Sequence, residues 1–305
     1  MSARKFSKPA VFAGFFQFFE SAFSKRTKSH KLPYLGKRSS YIWGAICLSV
    51  AISYNSCGVQ YTQVANAQNM LEKPSNKIEQ KTPPIDNRKV IYLTFDDGPN
   101  KGTSKVMQVL EKHGLPATFF LVGEHIYDTP WQKALYENLL QSPHYEVANH
   151  TFSHAKNRYN HFYLHPELVL ADFQRMQDSL QLHTSIGRTP GMDVWRTSEI
   201  KYDVCKRSSK AADMVQANGF TLIGWDVEWK ASGKRQLKKT AGAVASEIAQ
   251  AFAERLTHTD DHLVLLLHDQ HYMDSSNVQA LENLVVALKQ TGEYRFEKVS
   301  GYPCL

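Results

Sequence analysis

The sequence predicts an α/β fold with a parallel sheet, either open or closed into a barrel. From Arg88 onward, short runs rich in β-branched and aromatic residues alternate with segments of helical periodicity. Several of these runs end in an acid or a histidine, and the carboxyl ends of parallel strands meet at one edge of such a sheet. The chain of 305 residues is 42% hydrophobic, which is enough for a sizeable core.

The strands and helices can be assigned in order along the chain. The predicted strands are VIYLTF (90–95), ATFFLVG (117–123), YEVANH (145–150), TLIGWDV (221–227), LVLLLHD (263–269) and RFEKVS (295–300). The predicted helices are 104–114, 130–140, 166–183, 209–218, 241–256 and 276–290. No internal repeat is present, so the alternation indicates one α/β domain over residues 88–305.

The basic charge of the chain is concentrated in its first 40 residues. They hold nine Lys or Arg against the single acid Glu20, whereas the remaining residues hold 27 bases against 28 acids. A near-neutral body gives no basis for a nucleic-acid partner. The basic segment is followed by 14 mostly apolar residues, 41–54, which are typical of a signal-peptide core and short for a membrane span of about 20.

Export to the cell envelope or beyond is therefore expected, with residues 1–67 as a leader. Three outcomes stay open: cleavage after the Ala-Asn-Ala motif at 65–67, lipidation of Cys57, or a retained anchor that associates with the membrane. Residues 68–87 are polar and contain three prolines, which predicts a linker. The domain has two cysteines, Cys205 and Cys304, whose pairing the sequence leaves open. No protein partner is predicted.

The pair His150 and His154 is the first candidate for a metal site. A spacing of four residues on a helical turn points two imidazoles the same way, and one added carboxylate leaves metal positions open to water and substrate. The same spacing recurs at 161 and 165 and at 258 and 262, so spacing alone is not specific. Only the pair at 150 and 154 directly follows a predicted strand, and for the other two pairs we expect solvated or capping histidines.

The adjacent acids Asp96 and Asp97 end the first predicted strand, just before Gly98 and Pro99. Two neighbouring carboxylates splay in different directions, so one can bind a metal while the other faces the substrate. The alternative is a turn or capping role, which is common for Asp before Gly and Pro.

Five segments resemble, in order, the five motifs of the polysaccharide deacetylases, carbohydrate esterase family 4. They are TFDDGP (94–99), NHTFSH (149–154), RTPG (188–191), WDVEW (225–229) and LLLHD (265–269). The resemblance covers about residues 88–300. It implies a distorted (β/α) barrel with fewer than eight strands. It also implies metal-dependent removal of acetyl groups from a polysaccharide, usually from N-acetylglucosamine units.

The resemblance also implies roles for individual residues. The metal ligands are Asp97, His150 and His154, and Zn²⁺ is the expected divalent cation. Asp96 is then the general base that takes a proton from the attacking water, and Arg188 orients it. His268 is the general acid that protonates the departing amine, a task that suits an imidazole near neutral pH.

The remaining site residues carry less specific signals. Gly191 stands where the family has an aromatic residue, so Trp195 is expected to supply the sugar-binding wall instead. Trp229 is expected to line the groove, and Leu266 resembles the residue that lines the acetyl-methyl pocket. Core packing is the alternative for Leu266 and Trp229.

Two acids are candidates for tuning His268. Asp226 is preferred over Glu228 because it directly ends an apolar run.

Two other functions stay open at this point. An esterase that acts on O-acetyl groups, as in xylan, would use the same centre. A carbohydrate-binding protein that had lost catalysis would be expected to lack Asp96 or a metal ligand, and this chain has both. The identity of the polymer is not predicted, although export favours a cell-envelope glycan.

Overall fold

The computed structural model describes residues 86–305, in which ten strands alternate with eight α-helices. The strands are β1 Lys89–Gly98, β2 Ala117–Leu121, β3 Tyr145–Asn149, β4 Ile186–Gly187, β5 Val194–Arg196, β6 Lys201–Asp203, β7 Thr221–Leu222, β8 Val227–Glu228, β9 His262–His268 and β10 Tyr294–Glu297. The helices are α1 Lys101–His113, α2 Gly123–Tyr127, α3 Pro130–Gln141, α4 Tyr159–Leu164, α5 Pro166–Leu180, α6 Lys206–Ala217, α7 Ala241–Ala253 and α8 Ser275–Gln290.

The predicted leader and the predicted linker up to residue 85 lie outside these residues. Among the helices that the structure describes, none has both the length and the apolar character that a membrane crossing requires. Cys205 and Cys304 are both free thiols.

One mixed sheet organises the domain as a distorted half-barrel. Seven strands pair in parallel in the order β8-β9-β1-β2-β3-β4-β7. The antiparallel pair β5 and β6 extends the β7 end, and β10 pairs with the first half of β1. The α/β class and the distorted barrel are confirmed, whereas the expected count of fewer than eight strands is wrong for the sheet as a whole.

Strand β1 runs through the centre of the sheet, and its two faces meet different cores. Ile91, Leu93 and Phe95 belong to the core between the sheet and the helices, together with residues of α1, α7 and α8. Val90 and Tyr92 belong to a second core built mainly from strand residues on the inner face of the curved sheet. Because side chains alternate along a strand, Thr94 and Asp96 continue the inner face toward the carboxyl edge.

Helix α1 has both ends fixed by its own sequence. The side chain of Asn100 accepts a hydrogen bond from the N–H of Gly102, and the Thr103 hydroxyl accepts one from the N–H of Asn100. At the other end, Gly114 takes the left-handed conformation with φ 64° and returns its N–H to the last carbonyls of the helix. The helix begins three residues after β1 ends, and its Thr103 hydroxyl lies close to Gly98, the last residue of β1.

The predicted strand 221–227 is in fact two short strands. β7 pairs with β4, whereas β8 pairs with β9 at the other end of the sheet. Between them the carbonyls of Ile223 and Gly224 accept hydrogen bonds from the Arg188 guanidinium. A Cβ on Gly224 would lie 1.9 Å from the Asp193 carboxylate, so only glycine fits this close passage.

Candidate metal centre and active site

The end of β1 places two consecutive carboxylates in one site. Asp97 has φ 74°, and the pairing of β1 with β2 shifts register between Asp96 and Gly98. Consecutive side chains of a regular strand point to opposite faces, and this left-handed residue breaks the alternation. As a result, Asp96 Oδ2 and Asp97 Oδ1 each lie 3.6 Å from His150 Nε2.

Two histidines complete a three-residue cluster with Asp97. His150 follows the end of β3, and His154 lies 3.1 Å from Asp97 Oδ1 through its Nε2. The chain turns sharply at these two histidines, because Thr151 and all four residues 154–157 have positive φ. One ligand atom from each of Asp97, His150 and His154 lies within 4.8 Å of the other two.

The electrostatics of this cluster fit a divalent cation. Burial, followed by the neighbouring imidazole of His154, lowers the pKa of His150 to about 3, and burial also lowers the pKa of His154. Both rings are therefore held neutral, the form that binds metals. Asp97 Oδ1 is buried and accepts no hydrogen bond among the described residues. Two neutral imidazoles and one free carboxylate oxygen are a donor set that suits Zn²⁺ and leaves coordination positions open.

Arg188 fixes the second carboxylate, Asp96. Its side chain is fully buried and donates to Asp96 Oδ1 at 2.8 Å and to the Thr94 hydroxyl at 2.9 Å. The carbonyls of Ile223 and Gly224 accept two further hydrogen bonds at 3.0 and 2.7 Å. The guanidinium also stacks 4.0 Å above the Phe120 ring. Asp96 is thus held in one orientation by a rigid cation, beside the metal cluster.

His268 stands next to Asp96 across the sheet. The two residues are register partners at the carboxyl ends of β9 and β1. The His268 Nδ1 is buried without a hydrogen-bond partner among the described residues, and its ring lies 5.2 Å from that of His271. Leu266 is opposite Thr94 in the same register, on the inner face below His268.

Asp226 does not lie beside His268 as predicted. Its two carboxylate oxygens accept the backbone N–H groups of His258 and Val264 at 2.8 and 2.7 Å. Burial raises the pKa of Asp226 to about 7. The other candidate acid, Glu228, pairs instead with Lys230 at 3.4 Å. Neither acid hydrogen-bonds His268. Strand β8 pairs with β9 at Leu265 and Leu266, and the N–H of Asp226 donates to the Val264 carbonyl, so Asp226 lies beside a residue four positions before His268.

The two tryptophans expected in the groove are core residues. Trp195 is fully buried and donates its indole N–H to Asp193, and Trp229 is fully buried and donates to the Lys239 carbonyl. A fully buried ring cannot contact a polysaccharide. Trp225, which is partly exposed, lies 5.9 Å from the Arg188 guanidinium and keeps an accessible edge near the site.

Gly191 is the third residue of a turn in which the N–H of Met192 approaches the Thr189 carbonyl, at 3.5 Å. Its φ of 65° suits glycine at this turn position. A Cβ at this position would lie 3.4 Å from the Tyr159 ring. The Tyr159 hydroxyl in turn lies 3.3 Å from Nδ1 of His154. Tyr159 therefore occupies the space beside Gly191, a position that no sequence pattern indicated.

Other polar residues at the site were also not predicted. Gln270 donates to Asp97 Oδ2, and His125 Nδ1 lies 2.8 Å from the Asp97 carbonyl. Asp269 is fully buried and accepts hydrogen bonds from Asn100 and Thr103. Burial raises its pKa to about 8. Only Asp269 had a sequence signal, since it ends a predicted strand.

The other two histidine pairs lie outside the metal cluster. The expectation of solvated or capping side chains agrees with the exposed pair 161 and 165, whereas the pair 258 and 262 is partly buried against aromatic residues. His161 and His165 are exposed near the end of α4. His258 packs against Trp195 with ring centroids 4.6 Å apart, and His262 Nδ1 lies 2.8 Å from the Tyr92 hydroxyl.

Comparison with known proteins gives consistent matches. A family model described as polysaccharide deacetylase matches residues 84–214. A peptidoglycan-N-acetylglucosamine deacetylase of Bacillus cereus is 28% identical over 244 residues, which cover 77% of this chain and 80% of that protein.

Solved structures agree on the fold. A carbohydrate esterase family 4 esterase of Streptococcus mutans is 21% identical, with a TM-score of 0.53 over 70% of this chain and 86% of that one. The catalytic domain of a peptidoglycan N-acetylglucosamine deacetylase from Eubacterium rectale is 26% identical, with a TM-score of 0.50 over 70% and 90% of the two chains.

Proposed function

We propose that the chain, whose sequence matches the polysaccharide deacetylase family, hydrolyses N-acetyl groups on an N-acetylglucosamine-containing glycan of the cell envelope. The proposed enzyme depends on a divalent cation, with Zn²⁺ as the expected ion. The observation that carries the proposal is the convergence of two acids and two histidines at the ends of β1 and β3. Asp97, His150 and His154 present free donor atoms to one point, and Asp96 stands beside them in a separate, arginine-held orientation.

The cluster of Asp97, His150 and His154 would hold the cation. A bound cation of this kind polarises a carbonyl and lowers the pKa of water from about 15.7 to about 7. The low pKa of His150 keeps its ring available as a ligand across the neutral range. Its Nδ1 donates to the Arg188 carbonyl at 2.9 Å, which leaves Nε2 to face the cluster.

Asp96 and His268 would move the protons of the reaction. Asp96 takes one proton from water as the water oxygen bonds to the acetyl carbon. The bond from that carbon to the amide nitrogen then breaks, and the nitrogen leaves with a proton from His268. Acetate and a free amine are the products. Because Asp96 and His268 are register partners, an acetamide group bound between them would meet the base and the acid together.

Two observations support a cell-envelope glycan as the substrate. The relative in Bacillus cereus is named for its action on peptidoglycan N-acetylglucosamine. The basic leader and the apolar segment 41–54 predict export toward that polymer. We therefore propose an exported enzyme of the cell envelope, with membrane association through the N-terminal segment if the leader is retained.

The test is acetate release from N-acetylglucosamine oligomers and from acetylated xylan, with and without a chelator and added Zn²⁺. We expect release from the amide substrate that the chelator abolishes and Zn²⁺ restores. Release from xylan alone would favour an O-acetyl esterase. Release from neither, with metal bound, would favour a carbohydrate-binding protein of the same fold.

A further inference from the structure

The two oxygens of the Asp97 carboxylate have different surroundings. Oδ1 faces the Nε2 atoms of His154 and His150 and accepts no hydrogen bond among the described residues. Oδ2 accepts a hydrogen bond from the side-chain amide of Gln270 at 2.9 Å. One oxygen is thus left for a cation, while the other is occupied by a neutral donor.

The backbone of Asp97 is fixed separately from its carboxylate. His125 Nδ1 contacts the Asp97 carbonyl at 2.8 Å, and the carbonyl of Gly98 accepts the Val122 N–H at 2.9 Å. These contacts hold the left-handed backbone but do not restrict rotation of the carboxylate about its last side-chain bond. Of the described residues, Gln270 is the hydrogen-bond donor that restricts it.

Gln270 is itself held on a rigid turn. It lies in the short 3₁₀ segment Asp269–Met273 directly after β9. The Asp269 side chain ties the start of this segment to Asn100 and Thr103 of the loop and helix that follow β1. The Asn277 side chain donates to the His271 carbonyl at 2.8 Å on the other side. The donor is therefore positioned by packing before any ligand binds.

We propose that Gln270 is a positioning residue for Asp97, which directs Oδ1 to the cation by engaging Oδ2. This inference rests on the proposed function, because it assumes that Asp97 is a metal ligand. The two histidine ligands already have outer partners, namely the Arg188 carbonyl for His150 and the Tyr159 hydroxyl for His154. Gln270 gives the carboxylate ligand the same kind of support. Loss of such an outer partner typically weakens metal binding by about 10- to 100-fold.

The test is the affinity of the full-length chain for Zn²⁺, measured by competition with a chromogenic chelator. Gln270→Met keeps the length of the side chain and removes the donor. Gln132→Met is the matched control, since Gln132 donates to the Pro99 carbonyl at 3.0 Å, in the same turn but not to a ligand. The melting temperature of each metal-free protein is measured alongside.

We expect Gln270→Met to weaken Zn²⁺ binding by about 10- to 100-fold, with a metal-free melting temperature similar to that of Gln132→Met. Gln132→Met should bind Zn²⁺ like the wild type. Wild-type affinity in both Gln270→Met and a second variant, Gln270→Ala, would overturn the inference while leaving the proposed function standing. Equal weakening in Gln132→Met would also overturn it. A wild-type protein that binds no Zn²⁺ would overturn the proposed metal dependence itself.

Discussion

Replacement of Arg188 by methionine removes the ion pair with Asp96, the proposed base, and leaves the other residues of the site unchanged. Met fills a similar volume but cannot donate a hydrogen bond, so Asp96 would be left as a buried carboxylate without its cation. The carbonyls of Ile223 and Gly224 would lose their donors at the same time. The proposed metal ligands Asp97 and His154 do not hydrogen-bond the Arg188 side chain and should keep their geometry.

The expected loss of stability is large. Removing one partner of a buried ion pair typically costs about 3–5 kcal/mol, against a total stability of about 5–15 kcal/mol for a domain. For a domain of this size each kcal/mol corresponds to about 2–4 °C in melting temperature. The variant should therefore melt about 6–20 °C below the wild type. Loss of an oriented general base should lower kcat by a further factor of about 10²–10⁴.

Arg196→Met is the matched control for this experiment. Arg196 is also fully buried and also pairs with carboxylates, those of Asp203 and Asp213, but it lies outside the catalytic cluster. Both variants should lose stability in thermal unfolding, whereas only Arg188→Met should lose turnover at temperatures where the protein stays folded. A loss of less than about 1 kcal/mol in Arg188→Met, or an equal loss of turnover in both variants, would refute the reasoning.

Three further predictions concern the metal cluster and its loop. Asp96→Asn should abolish acetate release and keep Zn²⁺ bound, whereas His150→Ala should lose both; near-full activity in Asp96→Asn would rule out its role as base. Burial lowers the pKa of His150 to about 3 in the folded protein, whereas a histidine in an unfolded chain has a pKa of about 6.5. Between these two pH values the unfolded state therefore binds one more proton than the folded state. Metal-free protein should then lose up to about 1.4 kcal/mol per pH unit as the pH falls from about 6.5 toward about 3. Urea unfolding across this range should show a flatter profile for His150→Gln, and an unchanged profile would contradict the assignment. Lys156 is exposed with φ 47°, so Lys156→Gly should raise the melting temperature by relieving about 1 kcal/mol of left-handed strain, and a lower melting temperature would argue against that strain.

The longer strands and helices were predictable because each is long enough for its hydrophobic periodicity to show in the sequence. The apolar run 90–95 lies in β1, and the helical pattern before Gly114 lies in α1, which ends there as predicted. Strands β4, β5 and β6 have only two or three residues, too few to show an alternation. Their positions depend on contacts that are distant in sequence, and so they were missed.

The positions of the candidate site residues were predictable where a reactive residue lies close to the carboxyl end of a strand in space as well as in sequence. This holds for Asp96, His150 and His268. The prediction that Asp226 lies beside His268 was wrong because the apolar run before Asp226 breaks at Gly224. Gly224 leaves the sheet, and its carbonyl accepts a hydrogen bond from Arg188. The prediction that Trp195 forms the sugar-binding wall was wrong for another reason. Residue type alone does not distinguish a tryptophan that lines a groove from one that packs in the core.

Because of the break between β7 and β8, the orientation of the proposed base Asp96 depends on the number of residues between these strands as well as on side chains. Two of the four polar groups that hold Arg188 are main-chain carbonyls, at Ile223 and Gly224. A substitution at Ile223 would keep its carbonyl in place, whereas one inserted or deleted residue would move both acceptors while the outer strands still formed. Because Ile223 is fully buried in the inner-face core, homologues of this chain should vary at 223 only among apolar residues, and should not vary in the number of residues between β7 and β8.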